Sequence, residues 1–576
     1  MRLPTPPILI LASLSLAACA TTGSPPAATR GQSDAASVPA SISGQSAYGL
    51  FLAGQMAINN GQGSQAAAYF GAADQATKAP DASALLQAHT FTAALLAGDV
   101  KGAAQMTPLA VDDPEAQRLA SLVRAVEDLA EGAGARARAA LVNGEIAAPH
   151  AVAAALLAPL AAAQAGQAEA AIALPVFNSD PVASFFASLD QGLLFERAHR
   201  YDEAETDFRA LIERGDPGAV ASRNLGAFLE RRGRFADAVA TYDQALGRMP
   251  GDATLLADRA RAAAHRPAPA LPDVRQTAAE AMTGLASTLA VAKQSEEAVV
   301  YLRLALRLDP GQDPAWLLLG DILGSIGDKA GAVSAYLQPK PGSPAFVAAR
   351  DKLAWSYQAD GRKDEALAAA KAAQDGDPDS KAAATTVADL LRADERYPES
   401  ETVLDHLIDE EGQTPDWRLL YMRAVDYQES DRWGLAEKDL VNALKQQPEE
   451  PELLNFLGYS WIDRGERLPE ALAMVQKAVD NDPHSGAMVD SLGWAFYRLG
   501  RFREAVEKLE QAASMEAGDP EINDHLGDAY WRAGRPVEAR FQWSFVLTLQ
   551  PDAKLRAKIE TKLRDGLPEP PPVVGS

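Results

Sequence analysis

The sequence predicts an all-α fold, a solenoid of stacked helical hairpins, and three observations carry that prediction. Ten small residues stand almost 34 residues apart: Gly192, Gly226, Ala286, Gly320, Ala354, Ala388, Ala424, Gly458, Gly493 and Gly527. Asp-Pro pairs recur in phase with them, at Asp216-Pro217, Asp309-Pro310, Asp377-Pro378, Asp482-Pro483 and Asp519-Pro520. Asp is expected there to cap the first helix of a hairpin and Pro to occupy its first turn. Gly233, Gly327, Gly361, Gly500 and Gly534 fall where that first helix should end in a left-handed residue. A unit this small cannot bury its own apolar face and must stack on its neighbours.

Residues 1–18 combine Arg2 with an apolar run over 8–18, followed at once by Cys19 in the string Leu16-Ala17-Ala18-Cys19. The run is too short to span a bilayer as a helix, which needs about 20 residues, yet it suits a signal-peptide core. The string resembles a bacterial lipobox. That resemblance implies that Cys19, the sole cysteine, becomes the acylated first residue of a mature lipoprotein, palmitate among its acyl chains. Two or more chains anchor stably, at about 0.8 kcal/mol per buried methylene. Ala20 stands where an inner-membrane retention signal would resemble Asp, so the same resemblance implies an outer-membrane protein facing the periplasm. Residues 19–46 are the acylated Cys and a disordered tether of Ser, Thr, Pro, Gly and Ala, which cannot repay the entropy of ordering. As a flexible coil it spans roughly 30 Å.

Residues 47–180 are Ala-rich and keep the pattern weakly, though Gly54, Ala66, Phe70 and Ala73 hold the correct offsets. Their length divided by the period gives about four degenerate repeats. Residues 181–551 are the regular array, broken once. The 60-residue step from Gly226 to Ala286 leaves room for an extra helix over 253–265 and a Pro-rich connector, within 251–275. The 36-residue step from Ala388 to Ala424 and the 35-residue step from Gly458 to Gly493 fit small turn insertions. Residues 552–565 form a capping helix whose Leu555, Ile559 and Leu563 make a narrow apolar stripe, and 566–576 a disordered tail.

Within one unit, Leu225, Gly226 and Leu229 precede Gly233, and Ala238, Tyr242 and Ala245 precede Pro250. The last unit repeats this with Leu526, Gly527, Tyr530, Gly534, Ala539, Trp543, Val546 and Pro551. Small residues let two helix axes approach while large ones fill the groove between hairpins. Period and pattern together resemble tetratricopeptide repeats, whose function is to bind proteins.

At 576 residues, length alone would suggest several domains, but a repeat array grows without enlarging one core. A formal charge of −24 argues against nucleic acid and favours basic protein surfaces. The seven His (His89, His150, His199, His265, His406, His484, His525) include no i, i+4 pair, so no metal is expected. No phosphate-cradling loop or glycine-flanked Ser is present, so no catalytic residue, cofactor or small-molecule substrate is expected and the chain reads as no enzyme. Asp375, Asp377 and Asp379 mimic a calcium loop without its Gly and Glu, and helix capping is the expected use.

The remaining candidate site is the inner surface. Counting each ruler residue as position 8, the resemblance implies that positions 2, 5, 9, 12 and 13 face a concave groove. These are Asn455, Tyr459 and Ile462, then Asp490, Trp494, Tyr497 and Arg498, then Asp524, Asp528, Trp531 and Arg532. Aromatics beside Arg suit protein recognition. Trp461 and Trp543 fall at core positions. Acids at position 5 (Asp351, Asp490, Asp524) disfavour a clamp for chaperone carboxylates and suit a basic or hydroxyl-rich surface.

The stretch from Leu454 to Trp543 also resembles the C-terminal repeats of large proteobacterial outer-membrane lipoproteins, including adaptors of a periplasmic carboxyl-terminal processing protease. The resemblance implies a non-catalytic adaptor that holds periplasmic protein clients, cell-wall hydrolases among them, near such a protease. The alternative is an assembly or export factor for envelope proteins or polysaccharide.

Overall fold

The structure is a computed structural model that describes residues 46–568, apart from 60–61, 78–79, 110–112, 178–179 and 413. The expected signal peptide, Cys19, nearly all of the tether and most of the tail lie outside the described residues. Among the described residues every regular element is helical. The first group pairs α1 (Ala47–Asn59) with α2 (Gly63–Ala76), α3 (Pro80–Ala97) with α4 (Val100–Gln105), α5 (Pro114–Ala130) with α6 (Gly134–Val142), and α7 (Ala151–Gln164) with the short α8 (Ala168–Ala171). The second runs through α9 (Pro181–Arg197), α10 (Tyr201–Arg214), α11 (Val220–Arg231), α12 (Phe235–Leu246) and the lone α13 (Ala253–Ala263).

The third group is longer. It pairs α14 (Val274–Val291) with α15 (Ser295–Leu308), α16 (Asp313–Ser325) with α17 (Lys329–Tyr336), α18 (Phe346–Ala359) with α19 (Lys363–Gly376), and α20 (Lys381–Ala393) with α21 (Tyr397–Glu411). It continues with α22 (Trp417–Glu429) and α23 (Trp433–Gln446), α24 (Pro451–Arg464) and α25 (Leu468–Asn481), α26 (Gly486–Arg498) and α27 (Phe502–Met515), and α28 (Pro520–Arg532) and α29 (Pro536–Thr548). The last helix is α30 (Ala553–Asp565).

In most hairpins the ruler residue faces the residue sixteen places later, on the second helix, and an aromatic ring there demands glycine; Gly493 faces Leu509 in the same way, while Gly458 meets Val475, seventeen places on. A Cβ at Gly54, Gly192, Gly226, Gly320 or Gly527 would lie 2.3–2.7 Å from the ring of Phe70, Phe208, Tyr242, Tyr336 or Trp543. That is closer than any real Cβ contact, so the ring requires glycine. Where the sixteenth residue is Leu302, Ala370, Leu404 or Leu440, the ruler residue is Ala, and it is fully buried. At the end of the first helix Gly233, Gly327, Gly361, Gly500 and Gly534 have φ between +72° and +90°, as expected. Lys293, Glu395 and Asp431 adopt the same left-handed conformation without glycine, at φ +57° to +61°, at a strain cost of about 1 kcal/mol each.

The Asp-Pro pairs are only partly the expected caps. Asp519 accepts from the amides of Glu521 and Ile522 with Pro520 in the first turn, and Asp216 accepts from the amides of Ala221 and Ser222. Asp309, Asp377 and Asp482 instead terminate the preceding second helix, each in an extended or irregular conformation. The caps after Asp377 and Asp482 are Ser380 and Ser485, three residues on.

The larger departure is in stacking order. Helix α14 packs not on α13 but on α7 and α9, while α15 packs on α3, α4 and α5. Since α3, α5, α7 and α9 are first helices, the hairpin α14–α15 lies against the row of first helices of the N-terminal repeats. Arg307 makes two bonds of 2.7 and 2.8 Å to the Glu127 carboxylate, Arg303 Nε donates to the Leu96 carbonyl at 3.1 Å, and His150 Nδ1 lies 3.0 Å from the Tyr301 hydroxyl. Accordingly α15 is buried nearly all round, through Val299, Val300, Tyr301, Leu302, Leu304, Leu306 and Leu308. Helices α9 to α13 form a side arm with its own core around Phe208, Phe228 and Tyr242. The expected array in plain serial order is therefore branched between α13 and α14.

Candidate protein-binding groove

Beyond the branch, first helices touch one another directly at α14–α16, α18–α20, α24–α26 and α26–α28, which places them on the inner side of the curve. Their position-9 residues form one row: Asp321, Trp355, Asp389, Val425, Tyr459, Trp494 and Asp528. Exposure falls along it. Asp321 and Trp355 are open, Asp389 to Trp494 half-buried, and Asp528 buried.

The C-terminal end of the row is closed by the chain itself, which corrects part of the expected site. Asp524 and Asp528 are buried and hold Lys562 of α30, which reaches Asp528 at 2.6 Å, while Lys558 reaches Asp524 at 3.0 Å. Asp528 also accepts from the Trp543 indole at 3.1 Å. Trp531 lies 5.5 Å from Trp543 with the rings tilted by 33° and Gly566 close to its benzo ring, and Arg532 donates to the Pro568 carbonyl. The cap takes the place of a further repeat, so residues that would face open space face α30 instead. Ile462 is fully buried, and Trp461 and Trp543 are core residues.

One repeat earlier, Asp490 is buried and lies 2.9 Å from His525 Nδ1. Burial alone would depress His525, but the Asp490 carboxylate outweighs it and raises the imidazole above its usual 6.5. Trp494 is sandwiched between His525 at 4.0 Å and Tyr497 at 4.5 Å, both nearly parallel. Tyr459 reaches over to Glu521 at 3.2 Å, and Arg498 donates to the Asp463 carbonyl at 2.6 Å. Asn455 is half-buried with its amide oxygen unpaired. Of the expected groove residues, Asn455, Tyr459, Trp494, Tyr497 and Arg498 thus remain on the inner surface, with Trp494 and Tyr497 stacked on each other and Tyr459 and Arg498 bonded to Glu521 and Asp463.

The open part is upstream. Trp355 on α18 is 43% exposed, the one tryptophan among the strongly exposed apolar side chains of the described residues. Around it stand Asp321, held by Lys352 at 2.8 Å and Tyr336 at 2.7 Å, and Asp351, which accepts from Thr386 at 2.6 Å. Asp389 is half-buried and raised by burial; Asp426, fully buried and no part of the open surface, is pushed up to about 6 although Arg392 lies 3.2 Å away. An acidic, aromatic trough of this kind can take a basic segment with an apolar side chain. Position counting alone would have found Trp355, because it follows Ala354 as Trp494 follows Gly493. Two exposed stripes had weaker signals: Tyr48, Leu52 and Met56 on α1, and Val537, Phe541 and Phe545 on α29. Among the described residues no group of acids, His and Cys is arranged to hold a metal, and no helix is long and apolar enough to cross a membrane.

The tetratricopeptide repeat model matches residues 189–253, 352–414, 421–486 and 491–543. Those four stretches are tetratricopeptide repeats. It is 30% identical over 204 residues to the TPR repeat-containing protein PA4667 of Pseudomonas aeruginosa, covering 35% of this chain and 34% of that one. It is 27% identical over 181 residues to Protein FlbA of Caulobacter vibrioides, covering 30% of each. The chain thus spans about a third of the length of the curated relatives it matches. Among solved structures, the APC/C hetero-tetramer Cut9-Hcn1 aligns with 85% of this chain and 97% of that one, at 14% identity and a TM-score of 0.36. A tetratricopeptide repeat protein from Parabacteroides merdae aligns with 44% and 99%, at 13% identity and a TM-score of 0.38. The repeats carry a protein-interaction role, and the trough from α16 to α24 is where this fold leaves their inner surface open.

Proposed function

We propose that this protein is a non-catalytic adaptor, lipid-anchored through Cys19 in the outer membrane and facing the periplasm. Its α16–α24 trough holds protein clients near a second factor. The observation that carries the reading is the graded inner row, open at Asp321 and Trp355 and sealed by α30 at its C-terminal end, while α14–α15 fills the first helices of the N-terminal repeats. A scaffold with one accessible stretch selects where on itself a client binds. Tethering then raises the local concentration of client and partner without new contacts. The resemblance of residues 454–543 to protease-adaptor lipoproteins supports a cell-wall hydrolase as client and a carboxyl-terminal processing protease as second factor.

The test is photocrosslinking in cells from positions 355 and 421, with positions 503 and 507 on the second helix α27 as controls. Capture of one periplasmic client by the inner positions alone is the expected result; equal capture by the controls rejects the groove. Purified protein that binds neither a hydrolase nor the protease, and does not speed cleavage of one by the other, rejects the protease reading. Capture of an envelope assembly or export component would then establish the alternative.

A further inference from the structure

The two ends of the solenoid are finished differently. At the C-terminal end, α30 puts Ile559 inward beside Trp543 and carries Lys554, Arg556, Lys558, Glu560, Lys562, Arg564 and Asp565, a charged helix of the kind that solvates a terminal repeat. At the other end α1 packs its Leu50, Gly54 and Ala57 side against α2, and exposes Tyr48 (71%), Leu52 (45%) and Met56 (66%). These stand at i, i+4 and i+8, one stripe on one face. No charged residue occurs in α1, and residues 19–98 contain only Arg30, Asp34, Asp74, Lys78 and Asp81 in a chain of formal charge −24. Among the described residues this end is therefore apolar and nearly neutral, and it is the end that the lipidated residue would hold.

We propose that the Tyr48, Leu52 and Met56 face of α1 docks on the phospholipid surface beside the anchor, seating the first repeat on the membrane while the acidic array projects from it. This inference rests on the anchoring proposed above. Three considerations choose lipid over other occupants. An apolar face binds the headgroup boundary in proportion to the area it buries, and α1 offers such a face with no acidic residue on the helix to repel anionic headgroups. As the flexible linker its composition predicts, the stretch between Cys19 and Ser46 would span roughly 30 Å and present the surface to α1 at an effective concentration of about the millimolar order, where a weak patch suffices. A second copy would need about 1,200 Å² of total buried area for a stable contact, more than the exposed stripe of one 13-residue helix supplies.

The test separates docking from anchoring. The full chain, with Cys19 as its one thiol, is coupled through that thiol to a maleimide phospholipid in phosphatidylethanolamine–phosphatidylglycerol vesicles, which bypasses natural acylation. Hydrogen exchange of the α1 amides is compared with the same protein free in solution. Docking slows exchange in α1 by about threefold or more, with α22 to α28 unchanged, and Leu52→Asp with Met56→Asp removes the difference while circular dichroism stays the same. No vesicle-dependent slowing overturns the proposal. So does slowing that appears without vesicles and grows with protein concentration, which would assign the face to a second copy, or slowing that requires a purified periplasmic protein. Mass spectrometry of the native N-terminus tests acylation separately, so failure of the anchor and failure of the docking face are distinguishable.

Discussion

The hairpin α14–α15 packs on helices far away in sequence, α3, α4, α5, α7 and α9, whereas α26–α27 packs on the helices of the neighbouring hairpins, α24, α25 and α28. Both are built to the same template, with Ala286 and Gly493 at the ruler position. The difference lies in what surrounds them. Helix α15 has lost its polar face and is pinned by Arg307, Arg303 and Tyr301 to partners 151 to 207 residues distant. Helix α27 keeps a polar outer face of Arg503, Glu504, Glu507 and Gln511. A repeat that stacks serially needs one apolar face for each neighbour, and a repeat that fills a groove needs to be apolar nearly everywhere. One hairpin consumes a binding surface and the other extends one.

The contrast can be broken most decisively at Trp543, which is fully buried between α28 and α30. Trp543→Ala should cost about 3–5 kcal/mol, lost as hydrogen-exchange protection in α28 to α30 only. Equal loss in α14 and α15 would show one cooperative unit and abolish the distinction. Next is the branch: Arg307→Ala leaves the buried Glu127 carboxylate unpaired, and should cost about 3 kcal/mol, the low end for broken buried pairs because Arg307 is a third exposed. Its signature is faster exchange in α5 and α15 with α26 to α28 unaffected.

Gly226→Ala puts a methyl 2.3 Å from the Tyr242 ring, and should cost about 2 kcal/mol by overpacking, read as lower urea resistance of the side arm. In the opposite direction, Lys293→Gly relieves a left-handed residue at φ +61° and should slow exchange at the α14–α15 turn, by about 1 kcal/mol at most.

pH sharpens the contrast by sign. His150 is depressed by burial, so its contribution is present above the unfolded value of 6.5 and is lost as pH falls. Glu127, held low by Arg307 against the opposing effect of burial, contributes above its unfolded value of 4.5 and is lost on further acidification. His525 is raised by Asp490, so its contribution is complete below 6.5 and is lost as pH rises through its folded value. Lowering the pH from neutral should loosen α7 and α15 while tightening α26 and α28, measured as exchange protection across that range. Parallel changes in both regions would mean that other groups dominate.

Much of this was legible in the residues. The period, the left-handed glycines and the pairing of small with large positions depend on contacts inside one hairpin, and such contacts repeat wherever the pattern does. The site was legible only in part. Counting positions found the inner row but could not show that Lys558 and Lys562 of the cap would take Asp524 and Asp528, since nothing in the repeat pattern specifies the segment after the last repeat. The same counting applied to Ala354 leads to Trp355, the residue now at the centre of the candidate trough. The apolar excess of α15 was a further visible sign, for Val299 to Leu308 leaves little of the polar face that a surface helix retains.

The residues by themselves determined that this chain folds as stacked helical pairs, where the first helices of the regular pairs end, and which side chains fill the space between the two helices of a pair. These are local outcomes, set by steric fit and backbone capping within some 34 residues. Only the tertiary structure decided which surfaces remain available. Whether a first helix faces solvent, the hairpin α14–α15 or the helix α30 depends on how chain segments up to 207 residues apart meet, and no local preference encodes that meeting.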